Sequence, residues 1–248
     1  MAEATAPRHG LIVSLHVPKT AGTYFGALLK ARHGEACALY YGEGERTHPL
    51  IRKPPRELRA EDFDRLAEAG VRIVHGHLRA RYVADFMPDP ARYYAVLREP
   101  IEQTISHYYY QQTIPNESRI GRIIKERNLP LAEFTSINEV RNYQASFIKP
   151  FALEDLGFVG VTELIADMLP LVGLKHAPVR SNENRQKPMA DLATREKLAA
   201  DLALDLSLYS QAMEMALRRL GPRRQAASYT LRRRLAQLMR RAGLPGAR

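Results

Sequence analysis

Two short stretches carry residue types that do chemistry on anions and hydroxyls. The first is Pro18-Lys19-Thr20-Ala21-Gly22-Thr23, which places one lysine among small and hydroxylated residues. Loop N–H groups and a helix N-terminus together cradle an anion, and a lysine adds a full positive charge. The second is His75-Gly76-His77. Imidazoles change charge near neutral pH and can accept a proton from a hydroxyl. The alternatives are plain: a surface lysine on a turn, and structural histidines bonded to nearby backbone.

The elements around these residues give them places. Leu11-Ile12-Val13-Ser14-Leu15-His16-Val17 is an apolar, β-branched run of strand length. Pro18 ends its pairing, because proline has no backbone donor. A helical pattern then runs over residues 24–32, with Phe25, Leu28 and Leu29 on one face. Residues 42–57 are rich in Gly, Pro and charge and read as an exposed loop. Ala60 to Ala69 reads as a helix ended by Gly70. Val71-Arg72-Ile73-Val74 is a second strand with His75-Gly76-His77 at its end. In an extended chain, residues two apart share a side, so both imidazoles can point into one cleft, with Gly76 allowing a ligand close. Ala91 to Leu97 is a third strand, ending at Arg98; Pro100 suits the first position of the helix that follows. Arginine's planar fork suits a pair of phosphate oxygens, although an arginine paired with an acid would look the same.

The Lys19 stretch is not a Walker A loop, in which the lysine follows the second glycine; here Lys19 precedes Gly22. His16-Val17-Pro18-Lys19-Thr20-Ala21-Gly22-Thr23 instead resembles the 5′-phosphosulfate loop of the carbohydrate sulfotransferases, the group that includes heparan sulfate 2-O-sulfotransferase. Those enzymes take their sulfuryl group from 3′-phosphoadenosine 5′-phosphosulfate (PAPS). The stretch from Leu97 to Tyr110 resembles that family's 3′-phosphate motif, with Arg98 leaving the strand and Ser106 eight residues on. Helical side chains tilt toward the N-terminus, so Ser106 can lean back toward the anion of Arg98. Many relatives have arginine where Gln103 stands.

The resemblance implies a three-layer, P-loop-like α/β fold around a mainly parallel sheet, with the site at the carboxyl ends of the strands. It implies transfer of a sulfuryl group from PAPS to an acceptor hydroxyl, on a carbohydrate or glycolipid. Lys19 would balance charge on the leaving phosphate. Pro18, Thr20, Ala21, Gly22, Thr23 and Tyr24 would line the 5′-phosphate site. Arg98 and Ser106 would meet the 3′-phosphate. His77 is the chosen base, with His75 as support or second candidate. Arg185, with Asn182 and Lys187, would close over the nucleotide from the polar loop 178–188. No metal is expected: a transferred sulfuryl carries less charge than a phosphoryl, and no Cys/His set has zinc-site spacing. A P-loop-like nucleotide-dependent kinase and a non-catalytic glycan-binding protein are the competing classes.

Weaker signals complete the reading. Residues 113–150 look mainly helical; Asn142-Tyr143-Gln144 resembles a family segment that approaches the acceptor side, and on its own reads as surface polar residues on a helix. Most of Tyr108-Tyr109-Tyr110 reads as core. Gly157 to Glu163 reads as a buried strand entering a helix capped by Thr162 or Glu163. Residues 191–220 read as one or two helices. Cys37, the one cysteine, reads as a buried bystander.

The formal net charge is +10 over 248 residues. Ten arginines and no acid lie between Arg218 and Arg248; taking these ten from the 37 basic residues leaves 27, equal to the 27 acidic ones. The first 217 residues are formally neutral, and the basic character belongs to the C-terminal end, eight of the ten arginines lying in a tail, 223–248, appended to one domain, 1–222. That tail could meet an anionic membrane face or an acidic glycan, or could be a solvated extension. Nucleic acid is not expected, since no recognition motif accompanies the charge. With no signal-like or membrane-spanning apolar run, the expected location is cytoplasmic, with the tail as a candidate contact to the inner membrane face.

Overall fold

A computed structural model describes residues 10–114, 118–177, 190–221 and 236–237. Arg185, Asn182, Lys187 and, apart from two residues, the basic tail lie outside the described residues. In chain order the elements are β1 (Ile12–Leu15), α1 (Gly22–His33), β2 (Cys37–Tyr40), α2 (Ala60–Glu68), β3 (Ile73–Gly76), β4 (Tyr93–Leu97), α3 (Pro100–Thr113), α4 (Arg119–Glu126), α5 (Tyr143–Ile148), β5 (Phe158–Val161), α6 (Ile165–Met168), α7 (Leu192–Asp201) and α8 (Ala203–Leu220). The architecture is mixed α/β around a five-stranded sheet of order β2-β3-β1-β4-β5. Every pairing in it is parallel.

The chain divides into two compact units, Met1–Leu97 with Ser146–Val179, and Arg98–Ala145 with Arg180–Arg248. The first contains the whole sheet. Its strands are almost wholly buried runs, as expected for parallel strands covered on both faces. The register sets Ser14 beside His75 and Leu15 beside Gly76. From β1 the chain crosses toward β3 and β2; from β4 it leaves the other way, to β5. The topological switch point therefore falls between the carboxyl ends of β1 and β4, where open parallel sheets bind ligands.

Several boundaries differ from the sequence reading. Strand β2 was not anticipated: Cys37-Ala38-Leu39-Tyr40 is short, and its edge pairing to β3 is a tertiary matter. Cys37 is buried, and burial pushes its thiol up to about 11. Val71 and Arg72 precede β3, which instead runs on through His75 and Gly76. Ala91 and Arg92 belong to a 3-10 turn started by Pro90 and capped by Asp89. The loop 42–57 is pinned rather than wholly exposed: Ile51 is buried, and Lys53 pairs with Asp62 of α2 at 2.8 Å. Thr162 does not cap a helix; its hydroxyl donates to the Leu97 carbonyl at 3.0 Å, tying β5 to the end of β4.

The second unit is built from helices. Glu99 caps α3, accepting from the N–H groups of Ile101 and Glu102, with Pro100 in the first turn as its missing donor allows. Burial pushes the Glu99 carboxyl up to about 7. One apolar cluster gathers Tyr108, Ile124, Leu129, Phe134, Ile137 and Val140. Of the tyrosine run, Tyr108 is in that core with its hydroxyl on the Leu129 carbonyl, Tyr109 packs at its edge, and Tyr110 is exposed. Residues 113–150 are less helical than expected, with α4 and α5 separated by a 3-10 stretch.

Candidate active site

The loop after β1 has an unusual backbone. Lys19 has φ 69° and Ala21 φ 63°, so two side-chain-bearing residues adopt the left-handed region. That conformation costs roughly 1–2 kcal/mol per residue and persists only where surrounding structure demands it. Thr20, between them, is buried, and its hydroxyl donates to the Val17 carbonyl at 2.8 Å, which closes the turn. Ala21 is the N-cap of α1 and offers no side-chain acceptor; the first turn holds no acid. The leading N–H groups of α1 thus lack a capping side chain, beside a lysine. That combination fits an anionic group. Pro18, Lys19 and Ala21 are partly buried and Thr23 is exposed. The Tyr24 hydroxyl pairs with His176 Nδ1 at 2.7 Å.

Beside this loop lie three imidazoles rather than two. His16 follows β1, and its N–H extends the parallel ladder to the Gly76 carbonyl at 2.7 Å. Its ring stacks on His75, centroids 5.1 Å apart and planes at 22°, and meets His77 edge-on at 4.6 Å. Tyr41, just past β2, donates to or accepts from His16 Nδ1 at 3.1 Å and packs edge-on against His77 at 4.9 Å. The Arg46 guanidinium lies over the Tyr41 ring at 4.3 Å. His75 Nδ1 pairs with Ser14 Oγ at 2.9 Å, across the β1–β3 register.

Two glycines of α1 make room for these rings. A Cβ on Gly22 would collide with the His16 ring, coming within 2.7 Å of Cγ; one on Gly26 would collide with His75, within 2.6 Å of Cδ2. Spaced four residues apart, the two glycines open one furrow along a single face of the helix. Gly76 does something else than expected. Its Cβ would strike the Tyr40 carbonyl, so it permits close approach of β2 to β3, not of a ligand.

Desolvation is the largest of the causes that lower all three rings below the usual imidazole range. Desolvation, then His77 and His75, then Arg46 and Lys19, push His16 down to about 2. Desolvation and then His77 lower His75 to about 4, against a weak pull upward from the Gly22 backbone. His77 is likewise lowered to about 4, by crowding around the ring and then by Arg46. The three differ in access. His75 is 1 % exposed. His77, one residue past the strand, is exposed. The two histidines of His-Gly-His differ in burial, and both rings lie against His16.

Arg98 directly follows β4 in the chain and is partly buried, and Ser106 is buried on α3. Asn142-Tyr143-Gln144 is not a polar surface. Gln144 is 1 % exposed and binds the Arg98 backbone, N–H to Oε1 at 3.0 Å and carbonyl to Nε2 at 2.9 Å. Tyr41 and Gly26 carried no role in the sequence reading, His16 was named only in the first apolar run and as the first residue of the loop motif, and Gln144 only within the stretch 142–144. His16 had one usable signal, its place near the end of the first apolar run; Tyr41 had none, because β2 itself was not legible.

Among the described residues no group of three or more His, Cys, Asp or Glu side chains could hold a metal ion, and no helix is long and apolar enough to cross a membrane. No protein-family model, no curated protein and no solved structure matches the chain.

Proposed function

We propose that the chain is a PAPS-dependent sulfotransferase of the P-loop-like, three-layer class, acting on a hydroxyl of a carbohydrate or glycolipid. The observation that carries this reading is the left-handed Lys19–Ala21 loop. It feeds the N-terminus of α1, which no side chain caps, from the strand that borders the switch point of the sheet.

The co-substrate supplies the sulfuryl group. The chain's own residues bind and hold protons. The N–H groups at the start of α1, with Gly22, Thr23 and the Lys19 ammonium, hold the 5′-phosphate end and offset negative charge there. Thr20 acts by closing the loop, since its hydroxyl is already engaged. Arg98 is assigned the 3′-phosphate on the sequence resemblance, with Ser106 as its partner on α3. His77 is neutral at neutral pH and reaches the surface, so it is the group able to take a hydroxyl proton. His75, enclosed against Ser14 and Gly26, supports the cluster from within.

The test is transfer from sulfur-labelled PAPS to a panel of hydroxylated glycans and glycolipids, with product mass as readout. We expect labelled product that disappears in Lys19→Ala. Tight nucleotide binding with no transfer to any acceptor, or preferential binding of ATP, would overturn the assignment.

A further inference from the structure

The backbone of Arg98 is gripped from both sides by one side chain. Gln144 Oε1 accepts from the Arg98 N–H, and Gln144 Nε2 donates to the Arg98 carbonyl. A single amide thus pairs with one residue's two backbone groups, as a neighbouring strand would. Gln144 is itself held. Its N–H donates to Asp205 Oδ2 at 3.0 Å, and the next N–H, of Ala145, donates to Asp205 Oδ1 at 2.8 Å. Asp205 lies in the first turn of α8 and is 1 % exposed. Its own N–H donates to Asn142 Oδ1 at 3.1 Å. Asn142 has φ 51°, a left-handed conformation that asparagine tolerates better than most residues, and this turn brings its side chain back.

All four residues belong to one compact unit. Burial pushes the Asp205 carboxyl up to about 6 while its two N–H partners pull it back, and each of its oxygens accepts a backbone N–H. A buried carboxylate and a buried amide are costly ways to join helices, since apolar groups of similar size stabilise at least as well. What this pair supplies instead is direction: its hydrogen bonds converge on the backbone of a single partly buried arginine.

We propose that Gln144, Asp205 and Asn142 are positioning residues that aim the Arg98 guanidinium, and that they thereby set the chain's preference for a nucleotide bearing a second phosphate. This rests on the sulfotransferase reading, in which Arg98 meets the ribose 3′-phosphate.

The experiment is calorimetry of the full chain with 3′-phosphoadenosine 5′-phosphate and with adenosine 5′-monophosphate. In the wild type the bisphosphate should bind about 10–100-fold more tightly, the worth of a charge-assisted contact. Arg98→Ala should abolish that ratio. Gln144→Met removes both backbone bonds and should cut the ratio about ten-fold while leaving monophosphate affinity unchanged. Asp205→Asn, which keeps the volume and one acceptor, should cut it less, in the same direction. Equal weakening of both ligands, or an unchanged ratio in folded Gln144→Met, would reduce the clamp to a structural tether and overturn the proposal. If Gln144→Met does not fold, Asp205→Asn decides, and a wild-type ratio there overturns it. A wild type without preference would sink the sulfotransferase reading itself, and the clamp's role with it. Loss of preference in Arg98→Ala but not in the clamp variants would sink the clamp alone.

Discussion

The His75 imidazole lies in the furrow that Gly26 leaves on α1, so close that a methyl group on Gly26 would overlap the ring. The ring cannot easily yield. Its other side is stacked on His16, its Nδ1 is bonded to Ser14, and Phe25 packs edge-on at 6.4 Å. We expect Gly26→Ala to destabilise the fold by roughly 1–3 kcal/mol, the usual cost of forcing extra volume into a packed site. Gly22→Ala, against His16, should do the same. Urea unfolding midpoints measure both. A midpoint unchanged from wild type in either variant would show that the furrow is not filled as described.

The two histidines of the His-Gly-His stretch should separate by phenotype. His77 is exposed and His75 enclosed. We expect His77→Ala to fold normally, to bind 3′-phosphoadenosine 5′-phosphate, and to lose transfer by about 10²–10⁴-fold. His75→Ala leaves a cavity and an unpaired Ser14 hydroxyl, so its first effect should be on unfolding. The reverse pattern, with His75→Ala stable but inactive and His77→Ala active, would move the base to His75.

Much of the site was legible because it depends on local chemistry. An apolar run stopped by proline, then small residues and a lysine, has few structural outcomes, and the Lys19 loop sits where that pattern places it. The furrow was not legible. Gly22 read only as a residue of the loop and Gly26 only as a helix residue until two rings, one just past β1 and one in β3, are known to lie against them. The same holds for Gly76, whose neighbour is the Tyr40 carbonyl of an edge strand too short to stand out. Gln144 looked like a surface amide because its partners, Arg98 and Asp205, are 46 and 61 residues away. Period and propensity describe neighbours along the chain; these contacts depend on register and packing.

Stability should depend on pH through the enclosed imidazole. His75 has a folded pKa of about 4 against 6.5 in the unfolded chain. Between those values the unfolded state binds more protons, so this term stabilises the fold above pH 6.5 and is lost as pH falls toward 4. Asp205 and Glu99, raised to about 6 and about 7, act oppositely: their terms favour the fold at low pH and fade as pH rises through those values. The informative quantity is the difference between wild type and His75→Gln. We expect it to grow in favour of wild type from pH 4 to pH 7, by on the order of a few kcal/mol. A difference independent of pH would mean that His75 titrates alike in the folded and unfolded chain, so that burial does not lower it.

The rate should keep its acid side low. The pH profile of kcat/KM reports groups of the free protein. With His77 lowered to about 4, activity should hold from pH 8 to below pH 6 and fail only under more acidic conditions. An acid limb centred at or above pH 6.5 would indicate an ordinary, solvated imidazole, and would argue against His77 in its observed surroundings as the base.

The most direct single measurement is calorimetric titration of the full chain with 3′-phosphoadenosine 5′-phosphate, for wild type and Lys19→Ala. We expect one saturable site in the wild type and about 10–100-fold weaker binding in the variant, as loss of a charged contact to phosphate requires. Equal affinity in the two proteins, or no binding to the wild type, would contradict the assignment of the Lys19 loop as the nucleotide's anchor.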